Sequence, residues 1–270
     1  MLPETAPPML RRIYALLLRQ YFLLRSSVSK IVELFFWPML NFLIWGYLSQ
    51  YLHQNQTSPL LAFGVLLAGG MLWEMVIRSQ FAAVIGTMEE LWARNLAQLF
   101  IAPLRPLEYV LGMVLVSFLR TTAIMIPCAI AVEFMFGFSL WSLGWQCLTF
   151  YFMQLMTGWW LGLLLSAMLF RYGLAVEWMA WMAGFILLPF TGAYYPVTVL
   201  PVWLQPLAYI LPPTYVFEGM RAILNHQVFD ATLLWKSFGL NVAFLALSCY
   251  VFIRACEGAR QHGTLLHSGE

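Results

Sequence analysis

The chain has 270 residues, of which 62% are hydrophobic and 10% charged, with a formal net charge of +2. An average soluble domain carries about 25% charged residues, so the composition excludes an ordinary soluble protein and indicates an integral membrane protein. The small net charge gives no electrostatic footprint for a nucleic-acid partner.

The first predicted element is an amphipathic helix over residues 9–30. Ile13, Leu17, Tyr21 and Leu24 recur at helical spacing, with the arginines of the segment mostly on the opposite side. A helix of this kind lies in the membrane interface, with its arginines directed toward the lipid phosphates. The alternative is a cytoplasmic helix packed on protein. The arginines also interrupt any apolar core, which excludes a cleaved signal peptide.

Six apolar runs follow, each suited to the roughly 20 residues that cross a bilayer. They predict membrane spans near residues 31–52, 60–85, 107–136, 142–169, 175–192 and 233–254. Lysine and arginine concentrate in the segments on the side of the N-terminus. Because cytoplasmic loops are enriched in these residues, both termini are predicted to be cytoplasmic.

Groups for catalysis are scarce in this sequence. Asp230 is the only aspartate, the four histidines form no metal-binding cluster, and no lysine follows a phosphate-binding glycine loop. The chain alone therefore cannot hydrolyse ATP in the P-loop manner, and we expect no metal and no cofactor on it. The four cysteines are interpreted as small buried apolar residues. A transporter, a channel or a scaffold fits best, and an intramembrane lipid or glycosyl transferase is the alternative.

The loop after the second run carries a local helix signal. Thr87 and Glu90 form the T-x-x-E pattern of a capping box, directly after Gly86. This pattern predicts a short amphipathic helix over residues 87–102, which ends before Pro103. Such a helix either docks into a groove on a partner protein or lies under its own bundle.

The outer segment, residues 194–232, is punctuated by prolines but is too apolar for a solvated loop. Pro201 is expected to open one short helix, and Thr214 to cap a second that runs to about Asn225. Short helices that enter the outer leaflet while packed against protein fit this composition. The alternative is an interfacial loop that covers the bundle.

Three charged residues fall inside the predicted spans. Glu74 and Arg78 have the i, i+4 spacing that favours an ion pair on one helix. Arg120 has no evident partner, so it is either a lining residue for an anionic substrate group or a structural, snorkelling side chain. Gly158 and Gly162 form a G-x-x-x-G motif, interpreted as a close helix contact within one bundle.

These features together resemble the type-2 ABC exporter permeases. The resemblance covers nearly the whole chain as a single permease domain, residues 1–270. It rests on the length, the six spans, the interfacial helix and two sequence stretches. These are GTMEEL at 86–91 leading to APL at 102–104, and PVTVLPVWLQPLAYILPPTYVFEGMR at 196–221.

The resemblance implies a fold, partners and a location. The fold is an all-α polytopic membrane protein with six transmembrane helices, an N-terminal interfacial helix and a re-entrant helical hairpin before the last span. The partners are a separate ABC ATPase that binds ATP and Mg, a second copy of the permease or a related permease, and lipids of the cell (inner) membrane. The cargo is an amphiphilic, lipid-linked or saccharide-type molecule or a drug, and a haem or ion export subunit of the same fold is the alternative.

The resemblance also assigns roles to individual residues. The helix over 87–102 becomes the element that couples the permease to the ATPase, and the transport path lies between two permeases. The ATPase-contacting candidates are Glu89, Glu90, Leu91, Arg94 and Leu96. The path candidates are Asn41, Trp45, Met71 and Trp181, with Tyr194 and Tyr195 at the outer gate.

Overall fold

The computed structural model describes residues 9–25, 27–54, 64–93, 106–225 and 229–262, and these residues contain helices and turns but no strand. This agrees with the predicted all-helical class. The α-helices are α1 (Met9–Arg25), α2 (Val28–Gln54), α3 (Val65–Trp92), α4 (Pro106–Phe136), α5 (Gln146–Tyr172), α6 (Glu177–Thr191), α7 (Gln205–Ile210), α8 (Pro212–Leu224) and α9 (Thr232–His262). Short 3-10 helices lie at Leu140–Leu143, Gly173–Val176 and Val197–Val199.

By length and hydropathy, 4 helical stretches within the described residues can cross a membrane: Val28–Gln54, Pro106–Phe136, Gln146–Thr191 and Thr232–Ala259. The third stretch contains both α5 and α6. Helix α3 has 28 residues, about 42 Å, but its polar side chains lower its hydropathy. Helix α6 has 15 residues, about 22 Å, less than a hydrocarbon core of about 30 Å. The chain is a polytopic helical membrane protein, and six separate spans stay a prediction.

Helix α3 lies at the centre of the bundle and is buried along most of its length. Its most extensive contact is with α5, where glycines allow the two backbones to approach closely. A Cβ at Gly158 would lie 1.7 Å from Ser79 Oγ and 2.6 Å from the carbonyl oxygen of Val76, and one at Gly162 would lie 2.7 Å from Ala83 Cβ. The prediction that this motif forms a helix contact within one bundle is confirmed.

The amphipathic segment is shorter than predicted. Helix α1 ends at Arg25, and α2 begins at Val28, so residues 28–30 belong to the first long helix rather than to the interfacial one. Helix α1 packs mainly on α4 and also on α2.

The outer segment contains two short α-helices, as predicted, but neither begins where expected. Helix α7 begins at Gln205, so the prediction that Pro201 opens it is wrong. Helix α8 begins at Pro212, with Leu211 at the N-cap position. The Thr214 hydroxyl donates to the carbonyl oxygen of Ala208, so the prediction that Thr214 caps this helix is wrong. Prolines in the first helical turn lose no hydrogen bond, because the N–H groups of that turn have no partner within the helix.

The two outer helices differ in exposure. Most of α8 is buried, including Val216, Phe217 and Met220. The segment before and along α7 leaves Val202, 81% exposed, and Trp203, 77% exposed, on the surface. Helix α8 thus anchors the outer segment to the bundle, and the stretch leading into α7 presents apolar side chains outward.

Helix α9 begins with a polar turn outside the bundle. The Asp230 carboxylate accepts hydrogen bonds from the Thr232 N–H and hydroxyl. These bonds hold the pKa of the exposed Asp230 carboxyl below its usual value.

The contact between α3 and α5 gives the first testable prediction. Gly158→Ala should lower the thermal unfolding midpoint of the purified protein, because the new methyl group meets backbone atoms that cannot move aside. Overpacking of this kind costs about 1–3 kcal/mol. Gly239→Ala on α9 is the matched control, since a Cβ there meets nothing within 4 Å. An unchanged midpoint for Gly158→Ala would contradict the close packing.

Candidate functional site

The centre of the bundle holds a buried ion pair, as the i, i+4 spacing predicts. Arg78 Nε lies 2.7 Å from Glu74 Oε1 on α3. The other carboxylate oxygen, Glu74 Oε2, accepts a hydrogen bond of 2.9 Å from the Asn41 side-chain amide on α2. Because an unpaired charge inside a membrane is expensive, these contacts explain how α3 can carry a carboxylate that is only 4% exposed.

Next to this pair, α2 meets the start of the outer segment through aromatic rings. Trp45 and Tyr194 stack with ring centroids 3.8 Å apart and an interplanar angle of 23°. Trp45 also closes over Gly70, where a Cβ would lie 3.0 Å from its ring. The Tyr195 hydroxyl donates instead to the carbonyl oxygen of Pro189 at 2.6 Å. The two tyrosines therefore have different contacts, and their role as an outer gate stays a prediction.

A second aromatic contact lies where α3 meets α6. The Arg78 guanidinium lies 5.7 Å from the centroid of the Phe81 ring, and Phe81 packs on Trp181 with centroids 5.1 Å apart. Trp181 is 40% exposed, so the row of contacts from Arg78 through Phe81 to Trp181 reaches the surface of the chain. Cation–π contacts of this kind stabilise a guanidinium that is removed from water.

Of the sequence-predicted path residues, the structure brings together Asn41, Trp45, Tyr194 and, through Arg78 and Phe81, Trp181. Met71 is the exception, because it is 0% exposed and belongs to the central core cluster. In this conformation Met71 is a core residue, and its place on the path stays a prediction.

Arg120 on α4 differs from the other charges in the bundle. Its Nε atom is buried without a hydrogen-bond partner, and none of the ion pairs among the described residues includes it. The charged groups whose fields act on it are Glu89, Arg78 and Glu33.

The predicted capping box does not form. Helix α3 continues without interruption through Gly86 and Thr87 to Trp92. The Thr87 hydroxyl is 0% exposed and donates to Ser166 Oγ at 3.2 Å, so it is not available to the Glu90 backbone N–H. The start of the predicted helix over 87–102 is therefore the last part of α3, and residues 94–102 lie outside the described residues.

Three ion pairs connect α1 and the start of α2 to the end of α3 and the start of α4. Arg12 pairs with Glu108, Arg19 with Glu90, and the Lys30 ammonium lies 2.6 Å from Glu89 Oε1. The expectation that the arginines of α1 all point to lipid phosphates is thus wrong for Arg12 and Arg19, because their partners are carboxylates of α3 and α4. Arg11 and Arg25 remain exposed.

The ATPase-contacting candidates differ in how exposed they are. Glu90 is 3% and Leu91 4% exposed, so neither presents a surface to another protein in this conformation. Glu89 is partly exposed next to Lys30. Arg94 and Leu96 lie outside the described residues, and the ATPase contact itself stays a prediction.

The comparisons with known proteins address the family. The sequence model described as ABC-2 type transporter matches residues 11–225, a range that includes most of α1, the central ion pair, Arg120 and the outer helices. The chain belongs to the ABC-2 type transporter family. It is thus the transmembrane permease of an ABC transporter, a transport subunit in the membrane. No curated protein matches the chain.

The His, Cys, Asp and Glu side chains in the described part of this ABC-2 permease form no metal-binding group. Among the described residues, no group of three or more His, Cys, Asp or Glu side chains is placed to hold a metal ion. Cys128, Cys147 and Cys256 are buried, Cys249 is half-buried, and all four are free thiols.

Sequence reasoning missed several contacts that define the site. The hydrogen bond between Asn41 and Glu74 and the packing of Phe81 on Trp181 join residues 33 and 100 positions apart. The only sequence signal for the bond between Asn41 and Glu74 was the Asn41 amide within an apolar run. The ion pair of Arg19 with Glu90 had no local signal, because its partners are 71 residues apart.

The docking of α1 gives the second prediction. Arg12→Gln should lower the free energy of unfolding by about 3–5 kcal/mol, because it leaves the Glu108 carboxylate, 4% exposed, without its cation. The double variant Arg12→Met, Glu108→Leu should recover most of that loss, since it removes both charges. Arg254→Gln is the control, because its ion pair is exposed and 3.8 Å long. Equal losses in single and double variants would show that the pair does not hold α1.

Proposed function

We propose that this permease is the membrane subunit of an exporter that moves an amphiphilic, lipid-linked or saccharide-type molecule, or a drug, out of the cytoplasm or inner leaflet. The family membership supports transport. The single structural observation that carries the proposal is the connected series of polar and aromatic side chains across the bundle. It begins at Tyr194 and Trp45, passes through the Glu74–Arg78 pair, and ends at Phe81 and Trp181.

This series suits a cargo with both apolar and polar parts. Aromatic faces hold apolar or sugar surfaces without strong directional demands, and an exporter must release what it binds. Trp181 and Tyr194 are partly exposed at the two ends of the series. We propose that a second permease copy completes the path along this face, and that the outer segment over 194–232 enters the outer leaflet as a re-entrant hairpin that covers it.

Energy for transport is proposed to come from a separate ABC ATPase, which binds ATP and Mg, since this chain has no nucleotide-binding loop. The proposed ATPase contact includes the end of α3, where Trp92 is 48% exposed, and the sequence that follows it, residues 94–102. Because Glu89 and Glu90 are ion-paired to Lys30 and Arg19, force on this end of α3 reaches α1 and α2 directly.

The third prediction concerns which segments face the cytoplasm, and it follows from the distribution of lysine and arginine. In a cysteine-free background in the cell (inner) membrane, Ala231→Cys should react with an impermeant thiol reagent applied to intact cells. Ala93→Cys should react only after the membrane is opened. Both alanines are exposed, so the pair is matched in size and solvent access. The reverse labelling pattern would show that the termini are not cytoplasmic.

Coupling to the ATPase is the fourth prediction and the main test of the proposed function. Leu96→Asp should leave the amount of folded permease unchanged but abolish permease-stimulated ATP hydrolysis, because a carboxylate without a partner is costly in a docking groove. Leu96→Met is the matched control. Leu91→Asp is not a clean test, since Leu91 is buried within the permease itself.

Normal ATP stimulation and normal copurification of the Leu96→Asp variant with the ATPase would remove the 94–102 segment from the interface. The measurement needs the permease and its ATPase reconstituted together, with the ATP hydrolysis rate compared at matched protein amounts.

A further inference from the structure

A charged pair on α8 holds the backbone of the turn that follows α6. The Arg221 guanidinium donates to the carbonyl oxygen of Gly192 at 2.5 Å, and its Nη2 atom lies 2.8 Å from Glu218 Oε1. The same Glu218 oxygen accepts a hydrogen bond of 3.1 Å from the Val197 N–H. The pair therefore binds one backbone group at each end of the outer turn, which is defined as residues 192–197.

The position of this pair in the sequence is unusual. Residues 178–217 contain no charged side chain, and the first two charges after that stretch are Glu218 and Arg221. The Arg221 side chain is only 8% exposed and that of Glu218 29%. A buried ion pair adds little net stability compared with apolar side chains of similar size, but it fixes the geometry of the groups that it binds. The backbone groups fixed here are those of the outer turn.

The Gly192 end of the outer turn needs an outside donor. Gly192 is the C-cap residue of α6, with a φ of 67°, in the left-handed region that favours glycine. Carbonyl groups at the end of a helix have no partner within that helix. Arg221 supplies the missing donor, and the planar guanidinium can bind the carbonyl and a carboxylate at the same time.

The outer turn carries the aromatic contact described above. Its Tyr194 ring stacks on Trp45 of α2 with centroids 3.8 Å apart. The neighbouring Ala193 is 1% exposed, and its carbonyl oxygen lies so close to α3 that a Cβ at Gly69 would be 2.4 Å from it. The outer turn is thus enclosed between α8, which holds its ends, and α2 and α3, which contact its middle.

Helix α8 is itself bound to two long helices. The Ser237 hydroxyl on α9 donates to the carbonyl oxygen of Pro212 at 3.0 Å. The Phe217 ring lies against Trp73 of α3, with centroids 6.3 Å apart. The placement of α8 on α3 and α9 therefore decides where the ends of the outer turn lie.

We propose that Arg221 and Glu218 are positioning residues that hold the outer turn so that Tyr194 stacks on Trp45. The stack separates only when α8 moves together with the turn, or when the bonds to Gly192 and Val197 break. That the stack lies on the transport path rests on the proposed function, but the positioning of the turn does not.

The first test measures the stack itself by fluorine NMR. The full-length chain is labelled with 5-fluorotryptophan and purified in a neutral maltoside detergent, without an ATPase. The Trp45 resonance is identified by its loss in Trp45→Phe, and Tyr194→Leu gives its position without the stacked ring. Arg221→Met should move the Trp45 resonance toward that unstacked position. Lys236→Met, which removes an exposed cation of α9, is the control and should leave the resonance unchanged.

The second test measures the protection of the outer turn. In a cysteine-free background, Ala193→Cys places a thiol at the middle of the turn, where it should be protected from a soluble thiol reagent. Arg221→Met should raise its labelling rate at least about tenfold, the effect of losing a hydrogen bond to a charged group. Ala208→Cys on α7 is the matched control, because Ala208 is 0% exposed, and it should stay protected in every variant.

Two substitutions at Glu218 separate the hydrogen bond from the charge. Glu218→Gln keeps an oxygen that can accept from Val197 and Arg221, so Ala193→Cys should stay protected. Glu218→Met has a similar length but no such acceptor, so the labelling rate should rise. Both variants keep Arg221 in place, and they remain informative if Arg221→Met does not fold.

Three results would overturn the proposal. They are an unchanged Trp45 resonance with unchanged labelling in Arg221→Met, equal labelling rates in Glu218→Gln and Glu218→Met, and a loss of protection at Ala208→Cys together with Ala193→Cys. The last result would show that the pair stabilises the whole outer segment rather than the turn. Neither measurement requires ATP or transport, so their outcome is independent of whether the chain is an exporter.

Discussion

The packing of this permease depends on one constraint, the need to satisfy the polar side chains of α3 without water. Hydrocarbon offers no hydrogen bonds, so a helix that carries a carboxylate, a guanidinium and amides must find partners in neighbouring helices. Asn41 supplies one for Glu74, and the Gln80 amide donates to the carbonyl oxygen of Ala180 at 2.7 Å. Ser117 on α4 donates to the carbonyl oxygen of Ser79 at 2.8 Å. These bonds hold α2, α4 and α6 against α3, and the bond from Thr87 to Ser166 does the same for α5.

The same constraint explains how a local change at the end of α3 can reach distant parts of the chain. Helix α3 is a single continuous helix from Val65 to Trp92. At one end it is ion-paired to α1 and α2, and near the other its Gly69 approaches the carbonyl oxygen of Ala193, where a Cβ would lie 2.4 Å away. A rigid element held at both ends transmits displacement rather than absorbing it, which is what coupling between an ATPase and an outer segment would need.

Those parts of the fold whose cause is local could be predicted from the sequence. The Glu74–Arg78 pair follows from helical spacing, and the close contact at Gly158 follows from small residues four apart. The capping box at Thr87 failed because tertiary packing decided the outcome. Ser166, 79 residues away, binds the hydroxyl that the cap would have used. The burial of Met71 could not be predicted either, since apolar periodicity does not say which face of a fully buried helix packs in the core.

Charges in this bundle fall into two groups, and the difference bears on function. Glu74, Arg78, Arg221 and Glu108 have partners within the chain, so their positions are explained by structure alone. Arg120 and one oxygen of Glu89 lack partners among the described residues. An unpaired guanidinium could be replaced by an apolar side chain with a gain in stability if nothing bound it. No ion pair among the described residues offsets the cost of burying Arg120.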